Sequence, residues 1–443
     1  MNKVLACVIV ALLPLAGCSN NDNNGGCTAS TCLENCRAGG STAGVCEGGT
    51  CRCSGSTDAD ADGDGDARDE GGGGDDGRAE DGGGGHDRCS ATGEYSYIWI
   101  SDTAEGKVSK LCTLDGVEVG RFWSSPQLTG GDPSRTSVNL HGDAVVTNRE
   151  TTGGPSSVTK FAGLREDCVD RSGDGIIQTS TGPTDVLDWG ADECMLWNTP
   201  LNPGGASGIG ARATAWDGSE DEATGHGGHV WIGGRNKQVF QLDGGTGEIL
   251  WTGTSAIGGY GGVMDGRGNF WLVAMACTVS GMGMPCALAR INTTTHEETP
   301  FSVPCGYGIT ADANGRIWTA GMGCVNRLDP GTSESVTYHA GSNFLRGVAV
   351  DGRGSVWVAN TSGSVLQISE ATVELVHEVP GVGSEVVGVA IDYQFNVWAV
   401  AQSSNHAAKI NPTTYVVETF HVGSGPYTYS DMTGFQLRTV III

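Results

Sequence analysis

The chain has 443 residues, enough for one large domain with accessory segments, and 51 acidic against 25 basic residues give a formal net charge of −26. That surplus excludes nucleic-acid binding, which needs cations to neutralise phosphates, and disfavours adsorption to anionic lipid heads. Glycine supplies 73 residues, roughly twice the usual ~7%, so tight turns, structureless linkers, or both must be abundant.

The N-terminus begins "MNK", a positive start, followed by the apolar run "VLACVIVALLPLAG". A run of about a dozen apolar residues is too short for a spanning helix, which needs ~20, and has the form of a sorting signal. It ends in Leu15-Ala16-Gly17-Cys18, which resembles the lipobox of bacterial lipoproteins, where the cysteine becomes the lipidated first residue. The resemblance implies a signal peptide over 1–17, a tether over 18–26 lipidated at Cys18, and the membrane as a partner through that lipid. Ser19 in place of Asp implies, by the same resemblance, the outer membrane of a Gram-negative cell envelope, facing the periplasm or the surface.

The sixteen cysteines sort accordingly. Cys7 leaves with the signal and Cys18 takes the lipid. Six lie between Cys27 and Cys53 and eight from Cys89 onward. Both groups are even, as disulfides in an exported chain require.

Residues 27–53 read "CTASTCLENCRAGGSTAGVCEGGTCRC". Cys32 and Cys36 stand four apart and share one face of a helix; Cys51 and Cys53 stand two apart and share one face of a strand. Two thiols on a helix can then meet two on a strand. The segment resembles the cysteine-stabilised αβ module of defensins, and the resemblance implies the pairs Cys27–Cys46, Cys32–Cys51 and Cys36–Cys53. A generic disulfide knot satisfies the same spacing, because six cysteines admit many connectivities. Only Arg37 and Arg52 are basic, against Glu34 and Glu47, so the cationic face of a membrane-disrupting defensin is missing.

Residues 54–88 carry no apolar side chain larger than alanine, so no core can form there. Between Asp58 and Asp87 ten Asp and two Glu face two Arg, a net −10. The segment reads as a disordered acidic linker that spaces residues 89–443 from the membrane.

From there the sequence repeats. "DGRGNFW" begins at Asp265, "DANGRIW" at Asp312, "DGRGSVW" at Asp351 and "DYQFNVW" at Asp392, with starts 47, 39 and 41 residues apart. After each comes a second pattern: "LARINTTTHEET", "VNRLDPGTSESV", "LQISEATVELV" and "AKINPTTYVVET". Each unit gives four short β runs joined by Gly, Asp and Asn turns. A four-stranded unit repeating every ~40–50 residues specifies an all-β fold, a β-propeller. Seven blades are expected, with later ones opening near Arg212, Gly261, Gly308, Gly347 and Gly388, and a second near "SVNLHGDAVVTN". The first, "YIWISD", "KVSKLC" and "VEVGRFW", lacks its innermost strand, which the C-terminal "MTGFQLRTV" is expected to supply, closing the ring. The repeat resembles the propellers of virginiamycin B lyases (streptogramin lyases) and NHL-repeat proteins. Such propellers host many activities, so the resemblance implies the fold and not the reaction.

Aligned on the aspartates, the inner-strand entrances at one mouth of the ring are Thr136, Arg212, Tyr260, Tyr307, Arg346, Val387 and Thr433, with His406 in a hairpin loop on the same face. Arg212, Tyr260, Tyr307, Arg346 and His406 are the candidate ligand contacts, suited to a small anion, a glycan or a carboxylate of a macromolecule. The expected propeller disulfides are Cys89–Cys112, Cys168–Cys194, Cys277–Cys286 and Cys305–Cys324. Residues 170–181, "DRSGDGIIQTST", place oxygens at Asp170, Ser172 and Asp174, a glycine at Gly175 and a carbonyl at Ile176. Alternating oxygens let a loop wrap a hard cation, and the stretch resembles an EF-hand or dockerin calcium loop, with Thr181 where the bidentate Glu belongs. Calcium is the expected cofactor, in a bracing role, with Glu220, Asp221 and Glu222 as candidate extra carboxylates. His226 and His229 lack a third ligand at metal-binding spacing. The streptogramin lyases use His and Glu with a divalent metal; no such constellation surrounds His406, and no nucleophile set is identifiable. The leading reading is an envelope-tethered binding or interaction scaffold. The alternative is an exported lyase- or hydrolase-type propeller enzyme with a divalent metal at its mouth.

Overall fold

The computed structural model describes residues 41–47, 50–56, 89, 96–149, 155–201, 210–275 and 285–441, and the chain divides into two compact units, 1–79 and 80–443. In the first unit Ser41–Glu47 and Thr50–Ser56 form an antiparallel hairpin that sets Cys46 opposite Cys51 and Gly44 opposite Cys53. The rest of the expected cysteine module, its three disulfides, Cys18 with the signal segment, and most of the acidic linker lie outside the described residues. No helix among the described residues is long and apolar enough to cross a membrane.

The second unit is an all-β propeller. Its described strands pair into six sheets, not the seven separate blades that the repeat count predicts. They span 97–123, 133–200, 211–254, 261–303, 308–379 and 386–421. The reason for the difference is the fifth sheet, which is six-stranded and holds two copies of the repeat. Its strand Ser335–Val350 pairs through Ser335–His339 with the outer part of one copy and through its last residues with the inner hairpin of the next. One unbroken 16-residue strand thus serves both.

The Asp-to-Trp spacing has one geometric cause, seen four times. Oδ2 of Asp265, Asp312, Asp351 and Asp392 accepts the indole N–H of Trp271, Trp318, Trp357 and Trp398 at 2.9, 2.8, 3.0 and 2.9 Å. The other oxygen accepts two turn amides; for Asp351 these are Arg353 N at 2.8 Å and Ser355 N at 2.9 Å. One carboxylate therefore shapes the hairpin and satisfies the only polar atom of a fully buried tryptophan. In the earlier sheets the indole nitrogens of Trp99, Trp216 and Trp231 have no such partner.

The second repeat pattern clasps neighbouring sheets. In "INTTTHEE" the Asn292 side chain accepts from Thr294 N and Thr295 N, and His296, at φ 60, donates its N–H to Asn292 O at 2.9 Å. His296 then stacks on Trp251 of the preceding sheet at 4.1 Å. Tyr415, at φ 59, stacks in the same way on His377 at 3.9 Å.

The ring closes through the C-terminal segment, six residues earlier than expected. Pro426 bridges Asp102, Tyr427 N donates to Ser101 O at 2.8 Å, and Trp99 N donates to Met432 O at 2.9 Å. Residues 426–432 thus fill the vacant innermost position of the first sheet. Phe435–Ile441, expected as that strand, is an α-helix instead. Asp431 accepts the amides of Thr433, Gly434 and Leu437, which turns the chain into the helix. The helix covers the face opposite the mouth: Phe435 packs on Tyr393 and Phe395, and Arg438 pairs with Glu222 at 2.7 Å. Gly266 is required beneath it, because a Cβ there would lie 2.0 Å from Val440 O.

The disulfides Cys89–Cys112, Cys168–Cys194 and Cys305–Cys324 are formed, three of the pairs drawn from the sequence. Cys286 is disulfide-bonded, while Cys277 falls outside the described residues.

Asp351→Ala removes three hydrogen bonds and strands the Trp357 indole. It is expected to lower the unfolding free energy by about 2–4 kcal/mol in denaturant titration; a change below about 0.5 kcal/mol would remove the carboxylate from its place in the fold.

Candidate functional site: an arginine–tyrosine cluster at the mouth

The inner strands converge so closely that the axial channel is nearly closed. The cavity along it measures about 20 Å³ and is lined by residues such as Thr214, Gly262, Thr310, Ala349, Val389 and Asp431. Such a space holds about one water, so chemistry with a larger ligand belongs at the mouth and not inside the ring.

At the mouth, β-bulges aim the side chains. The pairing register slips between Ala211 and Ala213, between Leu345 and Val348, and between Val386 and Gly388. The extra residues are Arg212, Arg346 and Val387. A bulge leaves a residue off the ladder and re-aims it, here toward the axis. Tyr260 and Tyr307 stand just before the strands Gly261–Met264 and Gly308–Ala311. The structure brings these residues together: Tyr260 donates to the Tyr307 hydroxyl at 2.9 Å, and Arg212 lies 4.5 Å from the centre of the Tyr260 ring.

Three members of the cluster are absent from the sequence-derived set. The closing segment inserts Tyr427 and Tyr429. The Tyr427 hydroxyl contacts that of Tyr260 at 3.2 Å and hydrogen-bonds that of Tyr307. Tyr429 accepts from Arg212 Nη1 at 3.3 Å and packs on Tyr260 and Tyr307. Arg135 lies over the Tyr429 ring at 3.3 Å and donates to the carbonyls of Tyr260 at 2.6 Å and Tyr429 at 3.2 Å. Alternation in "YTYS" is the signal for the tyrosines, masked by Pro426 and the flanking glycines. Arg135 is displaced by the bulge between Pro133 and Arg135, so alignment picks its neighbour Thr136. Thr136 and Val387 are buried packing residues, and Thr433 sits at the start of the C-terminal turn, its hydroxyl donating to Ile391 O at 2.6 Å. His406 opens the strand His406–Ile410, and its Nε2 donates to the Val382 carbonyl at 2.8 Å, with no contact to the cluster.

The electrostatics are unusual. Arg346 pairs with Glu385 at 3.0 Å, and its side chain is 12% exposed. Arg135 and Arg212 are buried, at 1% and 9% exposure, with no carboxylate among their described partners. The Nε atoms of all three arginines are buried without a hydrogen-bond acceptor. Burial works against the charge on Arg135 and lowers its pKa. For Arg212 and Arg346 burial acts the same way, but the surrounding tyrosines, with Glu385 beside Arg346, outweigh it and raise both.

In the 170–181 loop, Asp170 accepts from Gly173 N at 2.6 Å, Gly175 N at 2.9 Å and Ser172 Oγ at 3.0 Å. Asp174 accepts from Ile176 N at 2.9 Å. Glu193 accepts from Arg171 N, Ser172 N and Gln178 N, which sets a third carboxylate against the loop. Glu220 is committed to Leu140 N, Asp221 to Thr224 and Glu222 to Arg438. His229 pairs with Asp217 at 2.8 Å. Among the described residues no group of three or more His, Cys, Asp or Glu is arranged to hold a metal.

Arg135→Met replaces a buried charge by an apolar chain of similar reach. The variant is expected to fold with stability within about 2 kcal/mol of wild type. Loss of the folded state in circular dichroism would show that Arg135 is a structural keystone and not a spare charge.

No family model matches the chain, and no curated protein matches it. Among solved structures, a streptogramin B lyase is 14% identical, covering 69% of this chain and 87% of that one, with a TM-score of 0.49. An inactive variant of virginiamycin B lyase from Staphylococcus aureus, solved with quinupristin, is 13% identical over 67% and 86%, with a TM-score of 0.45. AztD from Citrobacter koseri is 12% identical over 75% and 96%, with a TM-score of 0.46. The likeness is one of propeller fold.

Proposed function

We propose that the protein is a cell-envelope binding scaffold, tethered by lipid at Cys18 and spaced by residues 54–88, whose propeller mouth takes an anionic group of a small molecule, glycan or macromolecule. One observation carries the reading: Arg135, Arg212 and Arg346 converge on four tyrosines, each with an unpaired Nε, and among the described residues only Arg346 has a carboxylate partner. Buried charges without partners are costly unless something supplies the opposite charge. The partly exposed Arg346–Glu385 pair is the point of access. An incoming carboxylate or sulfate exchanges for Glu385 on the planar guanidinium, which suits bidentate recognition. Calcium bound by Asp170, Ser172, Asp174 and the Ile176 carbonyl, with Glu193 nearby, braces the insertion.

The test is a thermal-shift and calorimetric screen of the full chain in detergent against sulfate, small carboxylates, uronic-acid oligosaccharides and peptides with free C-termini. A ligand at about 100 times its Kd is expected to stabilise by about 2.7 kcal/mol. The shift should vanish in Arg346→Ala and the affinity should rise in Glu385→Gln. Binding unaffected by either change would move the site elsewhere. Chelator-sensitive turnover of any of these ligands would replace the scaffold reading by the exported-enzyme one. Calcium should raise the midpoint in wild type and leave it unchanged in Asp170→Ala; equal response in both would remove calcium from the loop.

A further inference from the structure

The mouth cluster poses a problem of charge balance that its own side chains can solve. Three guanidiniums meet there with one carboxylate, Glu385, and that carboxylate is on the rim at 34% exposure. The groups facing Tyr427 are the phenols of Tyr260, Tyr307 and Tyr429 and the guanidiniums of Arg212, Arg346 and Arg149. Arg149 is itself paired with Asp132, and Arg346 with Glu385. Arg135 stands behind Tyr429. Tyr427 is thus encircled by hydrogen-bond donors and positive charge, and no carboxylate is in direct contact with it among the described residues. Each phenol has one proton to donate: with Tyr260 donating to Tyr307, Tyr307 is free to donate on to Tyr427, and an oxyanion at Tyr427 ends that chain as its acceptor.

We propose that the Tyr427 hydroxyl is ionised and serves as the internal counter-anion of Arg135, Arg212 and Arg346, so that an external anion competes with it for the mouth. The second half rests on the function proposed above; the first does not. Burial opposes ionisation of Tyr427, but Arg212 and the hydroxyls of Tyr260, Tyr307 and Tyr429 outweigh it and bring the phenol down to about 7. For Tyr307 and Tyr429 burial dominates and holds both phenols protonated, as partners of a single oxyanion must be. The sign for binding follows. As pH falls through the Tyr427 titration the cluster gains a positive charge, so anions bind more tightly in acid; as pH rises the phenolate excludes them. The sign for stability is the reverse. A group whose pKa is depressed on folding from an unfolded value of about 10 adds stability that is fully present above that value and is lost as pH falls toward the folded one.

The experiment is an ultraviolet titration of the folded full chain between pH 5 and pH 9, reading the absorbance that separates phenolate from phenol. One of the nine tyrosines is expected to ionise near pH 7, in a step that denaturant erases. Tyr427→Phe should abolish the step, while Tyr338→Phe, outside the cluster, should keep it. Absence of any step below about pH 9 in wild type overturns the proposal, because unperturbed tyrosines ionise near 10. So does a step that survives in Tyr427→Phe. Should that variant fail to fold, a wild-type step that denaturant leaves in place overturns it equally. Repeating the titration in sulfate separates the two ideas. An upward shift of the midpoint with sulfate supports competition at the mouth. A step that is present but unmoved by sulfate keeps the phenolate and overturns the mouth as an anion site.

Discussion

The constraint on which the rest depends is the approach of the inner strands at the axis. A Cβ on Gly308 would stand 2.0 Å from Arg346 O, and one on Gly388 would stand 1.8 Å from Thr428 O. No other residue fits such gaps, so the glycines at the head of these inner strands fix how near the neighbouring strand can come. That spacing sets the ring radius, shuts the channel to all but about one water, and turns the side chains just before the glycines toward a common centre. Tyr260, Tyr307, Arg346 and Val387 each directly precede such a glycine. The mouth cluster is a consequence of how tightly the ring is drawn.

The same constraint explains why the last stretch of chain matters beyond closure. The first sheet has three strands, Tyr97–Asp102, Lys107–Cys112 and Glu118–Trp123, and leaves its axial position open. Whatever fills that position must also present side chains at the mouth and a stop at the far face. Residues 426–432 do the first with Tyr427 and Tyr429, and Asp431 does the second by turning the chain into the helix Phe435–Ile441. Ring closure and site assembly are therefore one event. A chain that had not closed would leave Arg135 and Arg212 without Tyr427 and Tyr429, two of the phenols that now surround them.

Much of this was legible in the sequence, for identifiable reasons. Period-two apolar runs and the invariant Asp-to-Trp interval report contacts within one hairpin, and local contacts survive in a linear pattern. The sharing of one long strand by two repeat copies did not show, because the segment 335–350 carries turn-forming "HAGSN" at its middle, and only pairing on both sides holds it extended. The helix at Phe435–Ile441 was missed because "FQLRTVI" alternates well enough for a strand; tertiary burial of Phe435, Leu437 and Val440 decides it. Tyr260, Tyr307, Arg212 and Arg346 could be placed by alignment on the aspartates, whereas Arg135 could not, since a bulge shifts its strand by one residue.

Elsewhere in the protein several buried or half-buried cations meet carboxylates, although buried Lys110 is held by the Gly163 carbonyl and the Tyr97 and Trp99 rings instead. Lys160 meets Asp143 at 2.8 Å with both side chains nearly inaccessible, Arg121 meets Glu118 at 2.7 Å, and Arg149 is paired with Asp132. With 51 acidic residues against 25 basic ones, acids are not scarce. Leaving Arg135 and Arg212 without one is therefore not a consequence of the composition. A carboxylate there would neutralise both guanidiniums at every pH above about 4 and leave nothing for a ligand to do. Phenols neutralise them only weakly and reversibly, which keeps the positive charge available while still hydrogen-bonding it in a place water does not reach.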